Sequence, residues 1–361
     1  MTLTPRPGIL EVEPYIGGAA LAAGFAEPIR LASNENPLGA SPRAAEAYAA
    51  VASDLHHYPD GAAVELREAI ATCHGLDAER IVCGVGSDEL ISLLIRAYAG
   101  PGDEVLYSAH GFLMYRIAAL TAGATPVAVL ERDLCADVDG LLARAGLRTR
   151  VLCLANPNNP TGSYLPAGEL RRLAEGLPGH VLLLVDAAYA EYVVQNDYEA
   201  GVQLVEASDR VVMTRTFSKI HGLAALRLGW AFCPAVVAGV LHRMRGPFNV
   251  TTAAQAAGVA ALQDSAHGER SREHNARWLA WFREQTLELG LDPCPSAGNF
   301  VLLRFAGDAG RDAATALSWL EARGILVRGM AAYGLPDCLR VTIGTEAETR
   351  AVVDALREFL S

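Results

Sequence analysis

Lysine is almost missing from this chain: of the 30 basic residues in 361, 29 are arginines and one is Lys219. An arginine-rich composition accounts for surface positions, where either cation serves. It does not account for the lysine that is kept. Arginine cannot release its proton inside a protein, whereas lysine can become a neutral amine nucleophile. Basic charge is also short overall, with 41 acidic residues and a net charge of −11. That argues against a nucleic acid or an anionic membrane surface as the main partner. The seven cysteines contain no C-x-x-C pair. An odd, dispersed set fits buried thiols in a reducing cytosol better than a disulfide framework. The nine histidines show no H-E-x-x-H or other metal-ligand spacing, so no metal is expected. No apolar leader segment opens the chain and no 18-residue apolar run occurs, which makes a cytoplasmic protein the expectation. Low-complexity tracts and internal repeats are absent too. With 51% hydrophobic residues, disorder is excluded as the main state, and the length suits two or three domains.

What is present alternates. After a Pro- and Gly-rich arm, Ser41-Pro42 reads as a helix cap and first turn, with a helix to about Leu55 and a second from Ala62 to Cys73. Short apolar runs then interleave with helical stretches. Strands are expected at Ile81–Val85, Glu104–Tyr107, Pro126–Leu130, Val151–Ala155, Val181–Asp186, Arg210–Thr214 and Leu228–Phe232. Continuous apolar strands between helices predict an α/β fold whose central, mostly parallel sheet is covered on both faces. A single long helical stretch from about Thr252 to Leu289 is expected to lead into a smaller α+β unit. Its strands fall near Asn299–Arg304, Ile325–Arg328 and Leu339–Ile343, and its helices at Asp312–Arg323 and Glu346–Leu360.

Several short motifs sit where these strands end. Gly84-Val85-Gly86-Ser87-Asp88-Glu89 runs from a strand into a helix, whose free N–H groups suit a phosphate. It is no dinucleotide fingerprint, since Glu89 replaces the third glycine, and no lysine follows as a nucleotide-binding loop requires. Asn156-Pro157-Asn158-Asn159-Pro160-Thr161-Gly162 follows a buried strand, at the edge where α/β proteins bind ligands. Asp186 ends an apolar strand, so its carboxylate needs a cation or a hydrogen-bond donor. Thr216-Phe217-Ser218-Lys219 holds the lone lysine, and Arg227 lies eight residues on. A phosphate cradle, an Asn, an Asp and one amine on a single sheet edge are the set that pyridoxal 5′-phosphate requires. Its phosphate needs donors, its aldehyde an amine and its ring nitrogen a carboxylate.

The succession SNENPLG, HYPDG, GVGSDE, NPNNPTG, DAAY, TFSK, LRLG and LRVTIGT resembles the fold-type I pyridoxal-phosphate aminotransferases. Among them it is most similar to the histidinol-phosphate aminotransferase family, from Tyr15 to about Gly344. The resemblance implies a role for each matching residue. Lys219 condenses with the cofactor aldehyde and, once released, moves the substrate proton. Asp186 pairs with the ring nitrogen, while Asn159 and Tyr189 bond the ring oxygen. Ser87 and Asp88 (through backbone N–H), Ser218 and Arg227 hold the phosphate, with Thr216 in support. Tyr58 reaches the phosphate of the neighbouring subunit, so a homodimer with shared sites is implied. Asn36 and Arg340 take the substrate or glutamate carboxylate, Arg328 the second anionic group, and Tyr15 covers the substrate. Two positions depart from the pattern. The residue stacked on the cofactor ring is Phe112 where Tyr is common, and Gly329 follows Arg328 where Pro is expected.

The implied architecture is an N-terminal arm (1–40) packing on the small domain and the partner subunit, a large cofactor-binding domain (41–264) and a small C-terminal domain (265–361). The implied reaction transfers the amino group of L-histidinol phosphate to 2-oxoglutarate, giving imidazole acetol phosphate and L-glutamate in histidine biosynthesis. An aromatic amino acid (phenylalanine or tyrosine) aminotransferase or a dual-specificity enzyme shares the cofactor motifs. A decarboxylase of a phosphorylated amino acid is a more distant alternative. A cofactor-binding regulator would need a DNA-binding domain for which this chain has no residues to spare.

Overall fold

The computed structural model describes residues 3–307 and 310–361. Its centre is a seven-stranded sheet built from β2 (Ile81–Gly84), β3 (Glu104–Ser108), β4 (Thr125–Val129), β5 (Thr149–Ala155), β6 (Leu182–Asp186), β7 (Val211–Thr216) and β8 (Gly229–Phe232). The strand order is β2-β8-β7-β6-β5-β3-β4. Only β8 runs against its neighbours; the other pairings are parallel. Strands β2, β3, β6 and β8 are buried along their whole length, as their unbroken apolar sequences require. Separate apolar clusters fill the two faces, one around Leu66, Leu154 and Phe232, the other around Leu94, Tyr115 and Leu184. Strand β4 lies at the edge, where Pro126 breaks no ladder that the sheet needs.

A smaller antiparallel sheet joins β9 (Asp292–Pro293), β10 (Phe300–Arg304), β12 (Arg328–Gly329) and β13 (Cys338–Thr342) in the order β12-β13-β10-β9. The stretch read as one strand at Ile325–Arg328 is two. Strand β11 (Ile325–Leu326) pairs in parallel with β1 (Ile29–Arg30) from the arm, and only β12 joins the sheet. The arm thereby forms a third, two-stranded sheet with β11.

Side-chain caps fix several helix starts. Ser41 accepts a hydrogen bond from Ala44 N–H with Pro42 in the first turn, and Thr345 forms a reciprocal capping box with Glu348. The long helix expected at Thr252–Leu289 is broken into Thr252–Gln263 and Ser265–Glu288. Asp264 leaves the helical conformation and its carboxylate accepts from His267 N–H, capping the second helix. Such a cap is worth about 1 kcal/mol, enough to set a boundary within an otherwise helical run. Helices at Val138–Arg144, Val202–Ala207 and Ala235–Met244, all short, lack a sequence pattern strong enough to single them out. Among the described residues no helix is long and apolar enough to cross a membrane.

Candidate active site

Strands β2, β3, β5, β6 and β7 all point their carboxyl ends to one edge of the central sheet, because β2 and β7 each run opposite to β8 between them. A cavity of about 290 Å³ opens there, lined by Ser87, Asp88, Phe112, Asn159, Asp186, Tyr189, Thr216, Ser218, Lys219 and Arg227 from the large sheet. The arm and the small sheet contribute Tyr15, Asn34, Arg328, Tyr333 and Arg340.

At one end lies an anion cradle. The helix Ser87–Tyr98 opens directly on the cavity, with Gly86 before it at φ 78°. A side chain on Gly86 would place its Cβ 2.5 Å from Arg227 Nη2, and one on Gly229 would meet Ser87 N at 2.3 Å. Only glycine lets backbone and guanidinium close up this far. Arg227 is itself held at φ 50°, a conformation that costs an arginine energy and sends its side chain back across the helix N-terminus. It donates to Ser218 Oγ at 3.3 Å and to Asp88 Oδ2 at 3.2 Å. Thr216 Oγ1 accepts from Ser218 N–H at 3.1 Å, fixing the turn that leads to Lys219.

At the other end Asp186 is buried with no cation against it among the described residues. Tyr115 Oη donates to Oδ2 at 2.9 Å and Thr214 Oγ1 to Oδ1 at 3.5 Å. Burial pushes this carboxyl up to about 6, while the Tyr115 hydrogen bond opposes the rise. Between the two ends Lys219 Nζ donates to Ser33 O at 3.0 Å. Burial, aided by the charge of Arg340, lowers this amine to about 8. A neutral fraction therefore exists near pH 7, which an ordinary lysine lacks.

The roof carries two arginines. Arg340 and Arg328 are direct cross-strand partners in the β12–β13 ladder. Like charges opposite one another destabilise a sheet unless an anion lies between them. Arg340 is buried, donates to Ala32 O at 2.6 Å and contacts Asn159 Oδ1, and its Nε is buried without a hydrogen-bond partner among the described residues. Arg328 is half-buried, donates to Ile16 O at 2.6 Å and lies 5.9 Å from the Tyr15 ring.

Of the residues expected from the sequence, Asn36 is displaced. Its amide donates to Ile220 O at 2.8 Å and to Ser271 Oγ at 3.0 Å, and it does not line the cavity. Asn34 does so instead, donating to Tyr189 Oη at 2.9 Å. In an extended chain both asparagines would share a face, but Asn34 sits at φ 56°, which asparagine tolerates and which breaks the alternation. Tyr58 is 82% exposed, stacks on Phe248 at 4.7 Å and lies outside the cavity of its own chain. Tyr115 and Tyr333 were not anticipated. Tyr115 lies in the first turn of the helix Met114–Ala122, just after the loop that carries Phe112, and nothing in the sequence marks it as facing Asp186. Nothing local marks Tyr333.

The family model for aminotransferase class I and II matches residues 26–356. A histidinol-phosphate aminotransferase of Paramagnetospirillum magneticum is 58% identical over 99% of this chain and 98% of its own. One of Rhodospirillum centenum is 60% identical with the same coverage. Among solved structures, the histidinol-phosphate aminotransferase of Sinorhizobium meliloti in complex with pyridoxal-5′-phosphate superposes with a TM-score of 0.90. It is 29% identical, over 99% of this chain and 98% of that one.

Proposed function

This chain belongs to the class I and II aminotransferase family, and we propose that it transfers the amino group of L-histidinol phosphate to 2-oxoglutarate, forming imidazole acetol phosphate and L-glutamate. The observation that carries the substrate assignment is the cross-strand pair Arg328 and Arg340 in one cavity. Two guanidiniums suit glutamate, with two carboxylates, and also histidinol phosphate, whose only anion is its phosphate.

The residues present fit pyridoxal phosphate. A glycine-lined helix N-terminus with Arg227 and Ser218 suits its phosphate, the uncompensated Asp186 its ring nitrogen, and Lys219 its aldehyde. When bound, the cofactor supplies a carbonyl that condenses with amines and a ring that accepts electrons from the substrate carbon. Ser87, Asp88, Ser218 and Arg227 hold its phosphate, and Thr216 holds the Ser218 turn. Asp186, oriented by Tyr115 and Thr214, keeps a proton on the ring nitrogen, whose charge removes the penalty for burying the carboxylate. Asn159 and Tyr189 bond the ring oxygen, and Phe112 stacks on the ring. Lys219, whose lowered affinity for protons suits it to both steps, offers a free amine and then moves a proton at the substrate carbon. Arg340 takes a carboxylate with its unpartnered edge, Arg328 the second anion, and Tyr15 covers the opening.

A homodimer belongs to this reading, because Tyr58 is exposed on its own chain and is available to a partner's phosphate. So does a division into an arm (1–40), a cofactor-binding domain (41–264) and a small domain (265–361), supported by the separate seven-stranded and four-stranded sheets and the helix break at Asp264. The deciding experiment compares kcat/KM for histidinol phosphate and phenylalanine with 2-oxoglutarate. A preference of at least 100-fold for histidinol phosphate is expected; equal values would replace the assignment with an aromatic aminotransferase.

A further inference from the structure

Three neighbouring strands end beside Phe112 and Asn159, and a chain of hydrogen bonds outside the cavity ties those ends together. Strands β3 and β4 are in parallel register with Ser108 opposite Val129, and Ala109 N–H donates to Val129 O at 2.8 Å. Two residues beyond each strand this register brings His110 against Glu131. Glu131 grips His110 twice: Oε1 accepts from the backbone N–H at 3.0 Å, and Oε2 meets ring Nδ1. A carboxylate only accepts, so the ring donates from Nδ1. The Glu131 side chain is 2% exposed, and its hydrogen bond holds the imidazole above its ordinary range. From the loop after β5, Asn158 completes the chain, donating to His110 O at 3.2 Å and to Thr161 Oγ1 at 2.9 Å.

Neither His110 nor Glu131 lines the cavity, so neither touches the reacting groups. Their immediate neighbours do. Phe112 follows His110 by two residues across a turn closed by Gly111 N–H to Ser108 O at 2.7 Å, and Asn159 adjoins Asn158. A buried carboxylate satisfied by one histidine, whose carbonyl then fixes the next loop, is a stiff connection between the stacking ring and the ring-oxygen donor. We propose that His110 and Glu131 are a positioning pair that sets the Phe112 ring and the Asn158–Asn159 turn against the cofactor. The proposal rests on the assignment of Phe112 and Asn159 to the cofactor ring made above.

The test uses holoenzyme and reads two properties besides activity: circular dichroism in the visible band of bound pyridoxal phosphate, and the cofactor dissociation constant. Phe112→Leu sets the benchmark for a lost stacking ring. His110→Leu is expected to lose most of the visible dichroism that Phe112→Leu loses and to weaken cofactor binding about 10-fold, on the order of one hydrogen bond to a charged group. His110→Asn, whose amide replaces the Nδ1 donor, is expected to restore both to within about twofold, a rescue that mere loop packing does not produce. Glu131→Gln keeps volume and acceptor, and serves should the leucine variant not fold; a partial loss, about threefold in cofactor binding, is expected. Wild-type dichroism and affinity in His110→Leu, or in Glu131→Gln if that is the variant that folds, would overturn the pair while the assignment of Phe112 stands. If Phe112→Leu itself leaves both unchanged, the placement of Phe112 on the cofactor fails, and the pair's role with it.

Discussion

The floor and the roof of the cavity are built to different standards. The floor rests on the ends of buried strands whose register leaves no freedom: Asp186 ends β6, Thr216 ends β7, and Ser87 follows β2 by three residues. The roof sets Arg340, buried in β13, beside a two-residue strand carrying Arg328 and an arm whose Tyr15 and Ile16 are 50% and 80% exposed. A group on the floor is held by the whole sheet, whereas Arg328 and Tyr15 at the mouth of the roof are held by a few bonds such as Arg328 to Ile16 O. Groups that perform the same chemistry on every substrate belong on the first surface. Groups that must accept glutamate and a second molecule by turns belong on the second.

The contrast can be broken most severely at Lys219. Lys219→Arg keeps the charge but offers no free amine, so turnover should fall below detection, and borohydride should leave no cofactor covalently on the protein. Near-normal activity would remove the floor from the chemistry altogether. Asp186→Asn should retain cofactor yet lower kcat by roughly 100-fold or more with little change in KM, because the lost interaction matters most in the transition state. An unchanged kcat would reduce Asp186 to a strand-end residue. On the roof the effect should be selective rather than general. Arg328→Ala is expected to cost histidinol phosphate about 30-fold in kcat/KM, roughly 2 kcal/mol, and phenylalanine far less. Equal losses for the two substrates would make Arg328 structural. The smallest change concerns a residue in neither surface of its own chain. Tyr58→Phe should weaken cofactor retention about 10-fold, measured by dialysis and absorbance, since one hydrogen bond to a phosphate is lost. Sedimentation showing a fully active monomer would exclude that role.

Much of the floor is legible in the sequence, for local reasons. Asp186 closes an unbroken apolar strand, Gly86 precedes a helix, and Lys219 is the only lysine present. Each of these signals lies within a few residues of the group it marks. The roof was legible only through resemblance, and the one misplaced residue, Asn36, came from it. Asn34 and Asn36 differ by two positions in a segment without periodicity, and the left-handed turn at Asn34 that separates them is enforced by bonds to Thr342 and Asn299, more than 260 residues away.

The amino-acid sequence by itself determined the alternation of buried strands and helices, hence the parallel sheet and the edge at which its motifs collect. Helix caps and apolar continuity are properties of neighbouring residues, and they survive being read one segment at a time. Only the tertiary structure decided that Arg328 faces Arg340, that Tyr115 donates to Asp186, and that His110 meets Glu131. Each is a contact between segments whose separation along the chain says nothing of their distance in space, and strand register, set by packing of the whole core, is what brings them together.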